Sequence, residues 1–175
     1  MTDMNAERVP IETERKFLIR LPSDALLCAQ PGCEKSEITQ TYLINPAAVE
    51  RVRKRVYTGR VVYTHTVKRR ISAMSAQELE REISESEYDT LLLRRDPARR
   101  AILKTRYAIP HGPLVAEVDV YPFWQRQAVL EIELPSEDAP FDFPEYLSLI
   151  REVTGDHSYS NNRLSLKIPE EDLTT

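Results

Sequence analysis

A chain of 175 residues has the length for one domain with its own core, and its 30% charged residues and net charge of −4 describe an acidic, water-soluble protein. That balance excludes a nucleic-acid binder built on a dominant basic field, while leaving room for a basic pocket inside an acidic shell. The sequence holds no apolar run long enough to cross a bilayer and no amino-terminal signal with an apolar centre, so no membrane partner and a cytoplasmic location are expected.

In chain order, the first expected strand covers residues 9–20, and a short helix follows in "PSDALLCA". Cys28 and Cys33 in "CAQPGC" lack a second pair that would complete a metal site, and read as reduced thiols. His65, His111 and His157 are scattered and form no zinc-ligand spacing. Strands are expected over 38–43, 50–57, 61–70 and 77–83, with a short helix in "NPAAVE" and a turn at Thr58-Gly59. Ser84 and Glu87 fit a capping box for a helix through "YDTLLLRR", stopped by Asp96-Pro97. Further strands fall at 101–109, 114–121 and 128–135, the first two separated by Pro110-His111-Gly112. A helix is expected in "FPEYLSLIREV", with Pro144 in its first turn and Gly155 past its end, then a short one in "SYSNNRLSLKI". The reading is one domain over residues 8–168 and a polar, frayed tail over 169–175. Eight strands in hairpin order with few flanking helices predict a predominantly β (α+β) fold, a closed eight-stranded antiparallel β-barrel.

The alternation within these strands is charged. Glu12, Glu14 and Lys16 share one face of the first strand; Arg51, Arg53 and Arg55 share a face of another. Lys68 stands with Thr64 and Thr66, Glu78 with Glu80 and Glu82, Lys104 with Arg106, Glu117 with Asp119, and Glu131 with Glu133. A wet outer face also alternates, but it mixes signs; here each strand carries one dominant sign, doubled at i and i+2. Four carboxylates on the neighbouring strands 114–121 and 128–135 would repel one another unless something of opposite charge binds. Clustered carboxylates without His or thiolate suit Mg²⁺ or Mn²⁺, and clustered Arg and Lys suit a polyanion. Only four glycines are present, and they assemble no phosphate loop, so side chains must hold any phosphate. A barrel with both linings would take a metal–polyphosphate complex.

These residues resemble the CYTH family, the triphosphate tunnel metalloenzymes. "ETERK" resembles its E-x-E-x-K signature, and "QTYL", "RVR", "TVK", "ELE", "KTRY", "EVDVY", "EIELPSED" and "VTGDHSYSN" resemble its later motifs in order. The resemblance implies an eight-stranded tunnel with the charged face inward. It implies that Arg51, Arg53, Lys68, Lys104 and Arg106 hold a triphosphate. Glu12, Glu14, Glu117, Asp119, Glu131 and Glu133 are the implied metal ligands, and Lys16, Glu78, Glu80, Glu131 and Glu133 the implied catalytic set. The chain departs from the pattern at four places: Thr41 replaces a glycine, Arg69-Arg70-Ile71 replaces a glycine-containing loop, and Ala76 and Ser158 replace arginines.

The expected activity is metal-dependent hydrolysis of a triphosphate, inorganic triphosphate foremost, with nucleoside or thiamine triphosphate as family alternatives. An adenylate cyclase of the same fold is the nearest rival, although no base-reading group stands out beyond Tyr42, Tyr63 and Tyr107. A non-catalytic polyphosphate binder is the other rival. An exposed apolar strand or helix face would support a homodimer.

Overall fold

The computed structural model describes residues 11–70 and 75–172, without the side chains of Ile11, Glu12, Arg70, Ser75 and Ala76. Among the described residues nine strands form: β1 (Ile11–Arg20), β2 (Glu34–Tyr42), β3 (Val49–Tyr57), β4 (Arg60–Arg70), β5 (Ser75–Ile83), β6 (Ile102–His111), β7 (Leu114–Val120), β8 (Gln127–Glu133) and β9 (Leu149–Glu152). They make one curled antiparallel sheet in the order β5-β4-β3-β2-β6-β7-β8-β1-β9, and β1 also pairs with β5 through Ile11↔Gln77, Glu12↔Ala76 and Thr13↔Ser75. Three helices are short: α1 (Asp24–Cys28), α2 (Glu85–Leu92) and α3 (Asn161–Leu164), the last preceded by a 3₁₀ turn at His157–Tyr159. Ser84 caps α2 as expected, its hydroxyl accepting from the Glu87 N–H at 3.1 Å, but the Glu87 carboxylate turns to Arg81 instead of closing the box. Both cysteines are free thiols.

The helix expected in "FPEYLSLIREV" is absent; its end is β9, which pairs with β1 at Phe17↔Glu152 and Leu18↔Arg151. The reason lies in β1. Beyond Thr13 its second edge has no other strand, and β9 supplies partners for backbone groups that would otherwise be bare. The "NPAAVE" helix is also absent, because the Asn45 side chain takes the N–H groups of Ala47 and Ala48 at 2.9 and 3.1 Å and makes a turn instead. α2 stops at Leu92, short of Asp96-Pro97.

Residues 169–172, expected to fray, are docked. The Trp124 indole donates to the Pro169 carbonyl at 3.1 Å, and Glu171 accepts from the N–H groups of Gln125 and Arg126 at 2.5 and 2.6 Å.

Apolar packing lies mainly on the face opposite the charged residues. Phe17, Ile19, Tyr107, Ile109, Val118, Leu130 and Ile132 are buried there beneath Leu27 of α1 and Leu147, with Phe141 and Phe143 against them. Burial of one such side chain contributes about 1.5–3 kcal/mol. A second cluster shares the charged parity: Leu18, Ile102, Tyr121 and Val129 continue the inward rows of β1, β6 and β8 and the end of β7, and pack with Trp124, Val153, Tyr159 and Leu164. The inward face is therefore charged along part of its length and apolar where the C-terminal segment covers it.

Candidate active site

The inward charged residues enclose a cavity of about 580 Å³. Its walls hold Glu14 and Lys16 from β1, Arg51, Arg53 and Arg55 from β3, Lys68 from β4, Glu78 and Glu80 from β5, Arg106 from β6, Glu117 from β7, and Glu131 and Glu133 from β8. The pairing register produces this directly: Glu14 lies opposite Glu133, Lys16 opposite Glu131, Glu117 opposite Glu131, and Lys68 opposite Glu78.

Arg106 is the hub of one wall. Its Nε and Nη2 donate to the two oxygens of Asp119, each at 2.7 Å, Nη2 also reaches Glu131 at 2.8 Å, and Nη1 meets Glu117. Lys16 bridges Glu131 at 2.9 Å and Glu14 at 3.3 Å. On the far wall Glu78 joins Arg51 at 2.8 Å and Lys68 at 2.9 Å. Arg53 reaches the neutral Gln40 carbonyl at 3.1 and 3.3 Å, with Glu80 4.0 Å away, while Glu80 accepts from the Thr66 hydroxyl at 2.6 Å. Arg55 donates to Ser36 at 2.9 Å and lies over the Tyr57 ring.

Lys104 and Asp119 share the inward parity but do not reach the cavity. Their side chains are fully buried behind its wall and meet at 2.5 Å. The Glu12 side chain lies outside the described residues.

Burial and neighbouring charge divide the titratable groups. Burial opposes the ionised form of Glu131, but Lys16, Arg106 and Lys104 overcome it and hold its carboxyl well below the usual range. Burial likewise works against Asp119, and Arg106 with Lys104 lowers it nonetheless. Burial, then the Arg106 charge, pushes Lys104 down to about 8, while burial with Arg51 and Arg106 nearby pulls Arg53 down to about 10. Glu133 moves the other way: burial, then Glu117, Glu14 and Glu78, raises its carboxyl above the ordinary value. Among the described residues, no ion pair or hydrogen bond engages the Glu133 side chain.

The structure adds Tyr42, Val49, His157, Ser160, Asn161, Asn162 and Arg163 to the walls. Residues 157–163 carry no period-two alternation; the resemblance of "VTGDHSYSN" to a closing motif reaches only as far as Asn161, and nothing in the sequence pointed to Asn162 and Arg163.

No protein-family model matches the chain. It is 34% identical over 163 residues to an inorganic triphosphatase from Nitrosomonas europaea, a match covering 90% of this chain and 99% of that protein. The chain belongs to the CYTH family. The crystal structure of the inorganic triphosphatase NE1496 superposes with a TM-score of 0.54 at 29% identity, over 91% of this chain and 97% of that one. The CYTH fold is also shared with a putative adenylate cyclase from Vibrio parahaemolyticus, with a TM-score of 0.51 at 12% identity over 72% of this chain and 79% of that one.

Proposed function

We propose that this protein hydrolyses a terminal phosphoanhydride of a triphosphate, inorganic triphosphate foremost, with Mg²⁺ or Mn²⁺ as cofactor. The observation that carries the reading is Arg53. Among the described residues this part-buried guanidinium, set in the cavity wall beside other cations, hydrogen-bonds a neutral amide and has Glu80 no nearer than 4.0 Å, so the wall has unmet demand for an anion. The similarity to inorganic triphosphatases supports the same ligand. The β1–β5 pairing supports a further reading, in which eight strands close around the substrate as a tunnel and β9 stands outside.

Arg51, Arg53, Arg55, Lys68 and Arg106 bind phosphate oxygens and offset the charge spread over the transferring phosphoryl group. Lys16, clamped between Glu131 and Glu14, adds a fixed positive charge to the same wall. Lys104 and Asp119 act behind it by holding Arg106 in place.

The donor set fits a hard divalent cation. All its ligating atoms are carboxylate oxygens, and burial together with the charges of Glu117, Glu14 and Glu78 raises Glu133, a strain that such a cation relieves. Among the described residues no three acidic, His or Cys side chains form a ready-made cage. That suits Mg²⁺, which takes one or two carboxylates and completes its shell with substrate phosphates and water. Glu14, Glu117, Glu131 and Glu133 would hold it. When bound, the cation supplies Lewis-acid charge to phosphate oxygens and lowers the pKa of coordinated water.

Among the carboxylates, Glu131 and Glu78 each face two cations and are poor bases, whereas Glu133 has no ion pair among the described residues and is shifted towards proton uptake. Glu133 is assigned the proton from the attacking water. Water attacks directly: the Ser160 hydroxyl is occupied by the Arg163 N–H and the His157 carbonyl, and neither cysteine lines the cavity.

The test is phosphate release from inorganic triphosphate and from ATP, each with Mg²⁺, Mn²⁺ or EDTA, while cyclic AMP is followed in parallel. Metal-dependent release from triphosphate that Arg106→Ala abolishes is the expected result. Cyclic AMP and pyrophosphate from ATP would move the assignment to a cyclase. Triphosphate binding that survives EDTA, with no turnover in Mg²⁺ or Mn²⁺ either, would make the protein a polyphosphate binder.

A further inference from the structure

The C-terminal turn makes a cavity wall that the strand rows do not account for. Leu164 anchors α3 in the apolar cluster, and the side chains before it face the cavity. Asn161 Oδ1 accepts from the Tyr121 hydroxyl at 2.7 Å, and Asn162 accepts from Arg99 Nη1 at 2.7 Å through Oδ1 and at 2.8 Å through its carbonyl. Arg99 is itself held by Asp96 at 3.0 Å and Ser165 at 3.1 Å. A guanidinium has donors only, so the atom that Arg99 meets must be the amide oxygen, which turns Asn162 Nδ2 away from it. Among the described residues no acceptor meets that Nδ2, and none meets the Arg163 guanidinium. This sets Arg163 apart from Lys16, Arg51, Lys68 and Arg106, which all contact carboxylates.

The wall has a definite place along the basic row. Asn162 lies with Tyr42 and Val49 around a smaller recess, and Tyr42 is the register partner of Arg51. Asn162 thus stands at the Arg51 end of the Arg51–Arg53–Arg55 row, with Arg163 next to it in the turn and lining the same cavity. Resting on the triphosphatase reading, we infer that Arg163 and the Asn162 amide form an end subsite that grips the terminal phosphate of the substrate. Its chemistry is a guanidinium fork plus an amide donor, matched to the oxygens of an unesterified phosphate. The bolted Asn162 backbone and side chain pre-position the donors, so binding orders little more than the Arg163 side chain. The subsite adds affinity without taking part in proton or phosphoryl transfer.

The experiment compares wild type with Arg163→Ala, Arg163→Gln, Arg163→Lys and Asn162→Ala. Calorimetric binding of metal-free inorganic triphosphate in EDTA is measured beside steady-state hydrolysis of Mg²⁺-triphosphate, with thermal melting as the fold control. Losing charge-assisted hydrogen bonds predicts about a 10- to 100-fold weaker Kd and higher KM in Arg163→Ala and Arg163→Gln. Their kcat should stay within about twofold, the pattern of lost uniform binding. Arg163→Lys should recover part of the affinity, since it keeps the charge but not the fork. Kd within twofold of wild type for both neutral variants would overturn the subsite, as would a fall in kcat at unchanged KM. Failure of the wild type to bind or hydrolyse triphosphate would remove the functional reading together with the subsite. Normal wild-type turnover with indifferent variants would remove the subsite alone.

Discussion

Asp119→Ala probes the dry charge cluster behind the cavity. Asp119 lies directly across from Arg106 in the sheet, accepts from its Nε and Nη2 at 2.7 Å each, and receives Lys104 at 2.5 Å. The Asp119 and Lys104 side chains are 0% exposed and that of Arg106 is 8% exposed, so water cannot replace the lost carboxylate. Arg106 keeps Glu131 and Glu117, but Lys104 is left buried without an anion in contact. Breaking a buried pair from one side costs about 3–5 kcal/mol. For a chain of this size that is a fall in Tm of roughly 6–20 °C. Urea denaturation followed by circular dichroism reads the loss, provided the m-value is unchanged. Lys104→Met is the control: Asp119 keeps its two bonds to Arg106 and one costly buried cation disappears, so the loss should be well under half as large. A loss below about 1 kcal/mol in Asp119→Ala would refute the reasoning, since it would mean the cluster is hydrated and its charges are screened.

Three further outcomes follow from the same charges and from the docked tail. Lys104 titrates near 8 in the fold against 10.5 ordinarily; between these values the unfolded chain binds the extra proton, so this group makes stability rise as pH rises through the window. The difference in stability between wild type and Lys104→Met, measured across that range, should carry this slope. Glu133→Gln should lower kcat sharply yet stabilise the metal-free protein by about 0.2–1 kcal/mol, the worth of one like-charge cross-strand contact. Because the Glu133 pKa is raised in the fold, that gain is present above it and fades as pH falls towards 4.5, which melting curves of the two proteins would show. Truncation after Ile168 removes the partners of the Trp124 indole and of the Gln125 and Arg126 N–H groups and should destabilise by about 1–3 kcal/mol in urea titration. An unchanged midpoint would show that the tail adds nothing.

Alternation revealed the sheet because a period of two is local, and eight strands fall where the residue pattern places them. β9 was hidden because its cause is elsewhere: Leu149–Glu152 is recruited by the open edge of β1, and "FPEYLSLIREV" taken alone satisfies helix start and stop signals. The site followed the same division. Parity gives the face of a residue but not its depth, so Glu117 and Asp119 looked equivalent although one lines the cavity and the other lies buried behind it. The 157–163 wall was illegible for a different reason. An irregular segment has no period to read, and its side chains become a surface only once Leu164 and Tyr159 are anchored.

The arrangement of charges also explains why an interior lined by so many carboxylates can receive a polyanion. Glu78, Glu131 and Asp119 are already bound to cations, so they set the positions of Arg51, Lys68, Lys16 and Arg106 before substrate arrives. Preorganised donors of this kind need little reorganisation when negative charge develops. Within the strand rows the protein leaves a demand unmet at two points of opposite sign, the under-neutralised Arg53 and the buried, crowded Glu133, besides the uncommitted Arg163 of the C-terminal turn. A phosphate answers the first and a divalent cation the second. The two ligands therefore bind better together than apart, and triphosphate affinity should rise with Mg²⁺ even in a Glu133 variant that cannot turn it over, provided Glu14, Glu117 and Glu131 still hold the cation.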